Sequence, residues 1–378
     1  MVACPAPAAA LRGCDVPVQR VEASAFTVPT DTPEGDGTLT WDSTTLVLVE
    51  ATGGGRSGIG WTYGPAACVA VVRDRLGPVV AGRSALDVQG SYHAMVPALR
   101  NDGRPGIADL ALSAVDTALW DLKARLLELP LHRLLGSVRD TVPVYGSGGF
   151  TTYTDQQLVD QLESWRDVGV PRVKIKVGES HGTRTGRDTA RVRLARSTIG
   201  PGAELYVDAN GGFTASQAIA WWHQVAEHGV SWFEEPVSSD DLAGLRRVRD
   251  AVGADVTAGE YGYDLTYFAR MLDAGAVDCL QVDVTRCGGI TEWLRVTAVA
   301  AAHHIDVSGH CAPHLHVGVA AATPNLRHLE WFHDHVRIER LFFEGAEAEP
   351  TDGVLRPCEG PGNGLRVRPR AVEPYRVR

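Results

Sequence analysis

The chain has 378 residues, 44% of them hydrophobic, and a formal net charge of −10. That length allows one large or two ordinary domains with a buried core, while the acidic balance argues against a nucleic-acid partner. No apolar stretch is long enough to span a membrane, and seven scattered cysteines without metal-type spacing fit a reducing cytoplasm.

Residues 1–16 are Ala/Pro-rich and lack a basic stretch followed by a long apolar run, so they read as a loose tail rather than a signal peptide. Residues 17–140 have the texture of an α+β domain. Strands are expected at Gln19–Val28 and Thr44–Ala51, with a polar, Gly-containing loop at Asp31–Asp42. A second loop, Gly58–Gly64, carries Trp61 and Tyr63, and Ala108–Leu127 has a strong helical pattern.

From 141 to 336 short apolar runs alternate with helical stretches. Strands are expected at Pro143–Gly148, Arg172–Val177, Glu204–Asn210, Ser231–Glu235, Asp255–Glu260, Cys279–Asp283, Asp306–His310 and His328–Phe332. The spacers Ser216–His228, Asp241–Val252 and Thr291–His303 read as helices. Repeated strand–helix alternation predicts a parallel α/β barrel. No helix of comparable length is expected after the eighth strand, which gives eight strands and seven helices. Residues 337–378 are too few for a domain and are expected to pack back on the first one.

The strands end on reactive side chains. Asp208, Glu234 and Glu260 recur 26 residues apart, followed by Asp283, His310 and Glu330. A closed barrel brings the carboxyl ends of its strands to one mouth, so these groups are expected to converge. Three oxygen ligands without cysteine favour Mg²⁺. Of the adjacent Glu234 and Glu235, alternation lets only one face the barrel, and Glu234 is chosen. The second expected strand carries Lys174 and Lys176 on one face, two of only three lysines beside thirty-three arginines. An ammonium can give up its proton where a guanidinium does not. Asp283 beside His310 would fix the imidazole tautomer. Lys176 and His310 would then flank a substrate, a pairing suited to removing a proton next to a carboxylate. Glu330, if protonated, could donate to the substrate's second carboxylate oxygen. His314 and His316 lie close by in sequence, with loop or core roles favoured for them, and Cys311 reads as a structural thiol.

These residues, with Ala114-Val115-Asp116-Thr117-Ala118-Leu119-Trp120-Asp121-Leu122-Lys123 in the first domain, resemble the enolase superfamily, in its mandelate racemase subgroup. The use of a Lys or His base with Mg²⁺ in that superfamily is a known case. The resemblance implies an α/β fold: a (β/α)₇β barrel with an N-terminal α+β capping domain completed by the C-terminal segment. It implies Asp208, Glu234 and Glu260 as Mg²⁺ ligands, Lys176 and His310–Asp283 as opposed acid/base groups, and Lys174 beside the substrate carboxylate. It also implies Glu330 as electrophile, Asn210 as a substrate contact, and homo-oligomeric assembly. No lysine ends the fifth or sixth strand, which points away from cycloisomerases.

The expected reaction is α-proton abstraction through an enediolate, with dehydration of an acid sugar to a 2-keto-3-deoxy acid favoured over racemisation of a 2-hydroxy acid. The capping loops mix charged and hydroxyl groups with Trp61 and Tyr63, which suits a polyol substrate. A metal-binding barrel without catalysis is the alternative of another class.

Overall fold

The computed structural model describes residues 15–377. The expected tail therefore lies outside the described residues, apart from its last two. The chain opens with a three-stranded antiparallel sheet: β1 (Arg20–Gly35), β2 (Thr40–Gly53) and β3 (Arg56–Tyr63). Two expectations change here. Most of Asp31–Asp42 is not a loop but the far end of the β1–β2 hairpin, bent by a register irregularity between Pro29 and Glu34. Gly58–Gly64, expected as a loop, lies almost entirely within β3.

The glycines misled because they serve packing, not turning. The helix Ile107–Leu126 lies against β3 so closely that a Cβ on Gly60 would stand 2.3 Å from the Ala114 carbonyl oxygen, and one on Gly58 2.2 Å from the Leu122 nitrogen. A glycine inside a strand often marks such an approach of another backbone. Trp61, next to Gly60, points away from the helix and stacks on Phe343 with ring centroids 4.5 Å apart.

Eight parallel strands form the closed barrel: β4 (Val142–Gly148), β5 (Arg172–Lys176), β6 (Glu204–Asp208), β7 (Val230–Glu234), β8 (Asp255–Ala258), β9 (Cys279–Val282), β10 (Asp306–Gly309) and β11 (Leu326–Phe332). Pairing of β11 with β4 closes the ring. The strand register sets the layers of the barrel interior. Lys174 lies opposite Tyr206 and Lys176 opposite Asp208, while Tyr206 pairs with Trp232 and Asp208 with Glu234. Because residues i and i+2 share a face, Lys174, Tyr206 and Trp232 form one inward layer. Lys176, Asp208 and Glu234 form the next, nearer the mouth. The aromatic layer, with Tyr145, is buried and plugs the barrel beneath the charged one.

A ten-residue helix, His333–Phe342, follows β11 directly, contrary to the expectation of no helix there. Its polar groups turn towards the capping domain: Asp334 accepts from the Thr44 hydroxyl, and Glu339 accepts from the Tyr63 hydroxyl at 3.3 Å. The expected boundary at 336/337 falls inside this helix. The remaining segment returns to the first domain, where Asp121 accepts from the Asn363 backbone at 2.6 Å and the Val377 amide donates to Ala25. Its short strand Val354–Leu355 also extends the barrel sheet beside β4. Among the described residues no helix is long and apolar enough to cross a membrane.

The tight β3–helix contact carries a prediction. Gly60→Ala must separate two backbones inside a packed core, so it should cost about 1–3 kcal/mol. Urea denaturation would show it as a lowered midpoint with little change in slope. An unshifted midpoint would mean that the contact is not tight.

Candidate active site

The hairpin joining β1 and β2 reaches over the barrel mouth. Thr151 donates from its backbone to Gly35 at 2.8 Å and from its hydroxyl to the Asp36 carbonyl at 2.8 Å, and the His181 amide donates to Gly37 at 2.8 Å. Gly37 sits flush on the rim: a Cβ there would lie 2.4 Å from the Ala209 carbonyl oxygen and 2.9 Å from that of Val177. Beneath the hairpin opens a cavity of about 380 Å³. Its barrel side presents Lys176, Asn210, Glu260, Arg286, His310 and Glu330; its capping side presents Trp41, Thr44 and Tyr63.

The predicted ligands meet. One oxygen from each of Asp208, Glu234 and Glu260 lies within 4.8 Å of the other two, and all three residues are buried. Trp232 Nε1 donates to Glu234 Oε2 at 2.9 Å from the layer below, and the Asn210 amide donates to Asp208 Oδ1 at 2.9 Å. Burial, then the neighbouring Asp208, raises Glu234 to about 8.

Lys176 reaches Asp208 Oδ2 at 2.5 Å. Burial would lower its pKa, but Asp208 outweighs that and raises it. Lys174 is fully buried under the floor of the cavity rather than lining it. It pairs with Glu234, with Glu330 Oε1 at 2.8 Å and with Asp208 Oδ2 at 3.4 Å. Lys174 thus meets the carboxylates from below the cavity, and a place beside the substrate carboxylate is what the resemblance implies for it.

His310 stands across the cavity from Lys176. Its Nδ1 hydrogen-bonds Asp283 Oδ2 at 2.8 Å, and its Nε2 faces Glu260 Oε2 at 3.2 Å. Asp283 also accepts from the Thr285 amide at 2.7 Å. Against burial, the thiol and carboxylates around His310 raise its pKa well above the usual histidine range. Glu330 accepts from Ser147 Oγ at 2.6 Å and from the Cys311 amide at 2.9 Å. Burial would raise its pKa, but Lys174 and then His310 hold it down, so Glu330 is a carboxylate. The protonated, donating role considered for it is not supported.

Several groups escaped the sequence reading. Arg286, three residues after Asp283, lies 3.4 Å from it and 3.5 Å from Glu260 Oε1, clamping two strand ends. The i,i+3 spacing on the turn after β9 was its only signal. Cys311 lines the cavity with Sγ 3.2 Å from His310 Nε2. Glu235 is the larger surprise. It leaves β7 at a left-handed φ of 36°, which breaks strand alternation and leaves its carboxyl buried beside Glu260. Left-handed backbone in a residue with a Cβ costs energy and gathers at functional sites; Asn210 and Cys311 share it.

Other expectations resolve plainly. Tyr63 roofs the cavity, stacked on His335 at 3.4 Å, but Trp61 is wholly buried in the capping domain and does not reach the site. His314 pairs with Glu339 at 2.7 Å. His316 accepts from the Val284 amide at 2.9 Å and donates to Ala312 at 3.1 Å. Both are structural.

The donor set fits a divalent cation. The buried carboxyls of Asp208, Glu234 and Glu260 meet at the mouth of the barrel, with Lys174, Lys176 and His310 in contact with them. Hard oxygen donors select Mg²⁺ over softer metals.

Comparison with known proteins agrees. Residues 20–136 match the mandelate racemase/muconate lactonizing enzyme N-terminal domain, and residues 157–371 the enolase C-terminal domain-like family. A mandelate racemase/muconate lactonizing enzyme-like protein from Rubrobacter xylanophilus is 49% identical, with a TM-score of 0.92 over 96% of this chain and 100% of that one. L-talarate/galactarate dehydratase from Salmonella typhimurium LT2, solved with Mg and L-lyxarohydroxamate, is 25% identical, with a TM-score of 0.88 over 100% of this chain and 97% of that one. D-galactarolactone cycloisomerase of Agrobacterium fabrum is 30% identical over 92% of this chain and 95% of its own length. The missing lysine therefore does not separate the chain from cycloisomerases. Fold, site and comparisons together place the chain in the mandelate racemase/muconate lactonizing enzyme family of the enolase superfamily.

Proposed function

We propose that this protein removes the proton α to the carboxylate of an acid sugar and expels the β-hydroxyl as water, giving a 2-keto-3-deoxy acid. The observation that carries this reading is the placement of two proton-transfer groups, Lys176 and His310, on opposed strands of one polar cavity above the carboxylate trio. Several relatives named as acid-sugar dehydratases support it.

Asp208, Glu234 and Glu260 would hold Mg²⁺. Bound there, the ion would neutralise charge developing on the substrate carboxylate, while Lys176, held by Asp208, presents Nζ for proton transfer. One of Lys176 and His310 takes the C2 proton. The C2 electrons form the enediolate, whose collapse breaks the C3–O bond. The other group gives its proton to the departing hydroxyl, and the resulting enol becomes the 2-keto acid. Asp283 holds His310 by Nδ1, leaving Nε2 for the substrate side. Lys174 supplies positive charge beneath the carboxylates, and Arg286 keeps Glu260 and Asp283 in place.

A second reading comes from the two relatives named as cycloisomerases. The same proton abstraction can expel a ring oxygen at the β-carbon instead of a hydroxyl, so that the substrate is a lactone or anhydro sugar acid and no water is lost. Cytoplasmic location and homo-oligomeric assembly belong to the same proposal; the described cysteines that are free, Cys68, Cys279, Cys287, Cys311 and Cys358, fit a reducing compartment.

Incubation with Mg²⁺ and a panel of acid sugars, their lactones and 2-hydroxy acids in D₂O, read by mass spectrometry, tests the reading. Loss of the elements of water with a deuteron fixed at C3 supports dehydration, deuterium gain without loss of water supports racemisation or isomerisation, and no reaction with any acid refutes α-proton chemistry on this class. Lys176→Ala and His310→Asn should each lower turnover by about 10²–10⁴-fold or more while circular dichroism stays native. Activity within a few-fold of wild type in either variant removes that residue from proton transfer.

The metal is tested separately. Titration calorimetry should show one Mg²⁺ per chain, and Glu260→Gln should weaken it at least about tenfold, since a hard divalent ion depends on its anionic oxygen ligands. Chelator should abolish turnover and added Mg²⁺ restore it. Full activity in excess chelator would take the ion out of the mechanism.

A further inference from the structure

A second chamber of about 840 Å³ lies beside the catalytic cavity, more than twice its size. Asn210 and Tyr261 line both spaces and form the wall between them. Tyr261 is 43% exposed, and its ring takes the Arg286 guanidinium of the catalytic cavity at 5.2 Å. The proton-transfer chemistry uses none of the remaining lining groups.

Two unpartnered polar atoms mark the chamber as a binding space rather than a surface hollow. Glu235 is 1% exposed, lines the chamber, and its Oε1 has no hydrogen-bond partner among the described residues. The buried Oδ1 of Asn210, in the shared wall, is likewise unpartnered. Burying such acceptors without a partner is costly, and a ligand bringing O–H donors would recover that cost. Both residues hold left-handed backbone, φ 36° and 45°, so that strained local geometry turns these acceptors to their places. The other lining groups are mixed: the rings of Tyr261, Tyr263 and Tyr267, the hydroxyls of Ser238 and Ser239, the carboxylates of Asp240 and Asp264, and the Arg270 cation. Such a surface pairs aromatic faces with convergent hydrogen-bonding groups of no single charge. That is the chemistry of a neutral, hydroxyl-rich ligand rather than an anion or an amine.

We propose that this chamber is a subsite for a neutral sugar unit carried by the substrate beyond the acid that reacts, so that the enzyme accepts glycosylated or extended acid sugars. The proposal rests on the acid-sugar reading of the neighbouring cavity. The acid carboxylate is committed to the catalytic floor, and the shared wall of Asn210 and Tyr261 is the point where a chain of carbons and hydroxyls passes from one space to the next. Glu235 and Asn210 accept from its hydroxyls, and the tyrosine rings face its C–H surfaces.

The test compares free hexonic acids with their 4-O-glucosyl derivatives, in which C2 and C3 remain free to react. Dissociation constants come from calorimetry of the Mg²⁺-loaded protein, and turnover from mass spectrometry in D₂O. A glucosylated acid should bind at least about tenfold tighter than its parent. That ratio should fall towards one in Tyr267→Phe and Ser239→Ala, and also in Thr266→Trp, which fills the chamber from an exposed position. Equal or weaker binding of every glucosylated acid, or an unchanged ratio in all three variants, overturns the subsite. The two readings fail apart. Reaction of free hexonic acids without any glucosyl-dependent gain sinks the subsite alone. Glucosyl-dependent affinity without proton exchange sinks the acid-sugar chemistry alone. A chamber covered by a second copy of the chain, seen as a dimer whose dissociation opens glucosyl binding, also overturns the proposal for the assembled enzyme.

Discussion

The site depends on one constraint: several carboxylates are buried together at one end of a barrel, where each needs a fixed partner. Asp208, Glu234 and Glu260 are each almost wholly excluded from solvent, as are Asp283 and Glu330. Isolated carboxylates in such a place would take up protons. Each is instead answered by a fixed cation or donor. Lys174 and Lys176 answer Asp208 and Glu234, Arg286 answers Glu260 and Asp283, and Ser147 with the Cys311 amide answers Glu330. These pairings make both lysines part of the charge network that holds the carboxylates in place.

The layered register makes that network possible. Because β5, β6 and β7 are in parallel alignment, the pair Lys176–Asp208 and the pair Asp208–Glu234 fall at one height. The aromatic layer of Tyr145, Tyr206 and Trp232 one step below gives the charged layer a dry floor, and Trp232 adds a hydrogen bond to it. A dry floor strengthens every electrostatic interaction above it. The cap completes the enclosure. Gly37 lets the hairpin backbone rest directly on the carbonyls of the barrel rim, where any side chain would hold it off.

Much of this was legible in the sequence because a parallel barrel has a period. A reactive residue recurring every 26 residues at the end of an apolar run can be assigned to a strand end without coordinates, and a scarcity of lysine draws attention to the pair on β5. The capping domain has no such period. Trp61 was expected to face substrate because glycines on either side suggested a loop, yet those glycines admit a helix and leave Trp61 in the core. Trp41, on the hairpin, is the tryptophan that lines the cavity.

The sequence by itself determined the fold class and which side chains the strand ends bring to one mouth, because both follow from residue type and strand periodicity. Only the tertiary structure decided which neighbours those groups answer to. Lys174 lies below the cavity because the barrel interior has depth, which a list of strand ends does not convey. Glu330 is ionised because three other strands bring Lys174, Ser147 and His310 against it. Glu235 joins the buried carboxylates because one residue takes a left-handed turn that alternation forbids. Depth, cross-strand contact and backbone strain are properties of the closed barrel, and no local pattern in the chain encodes them.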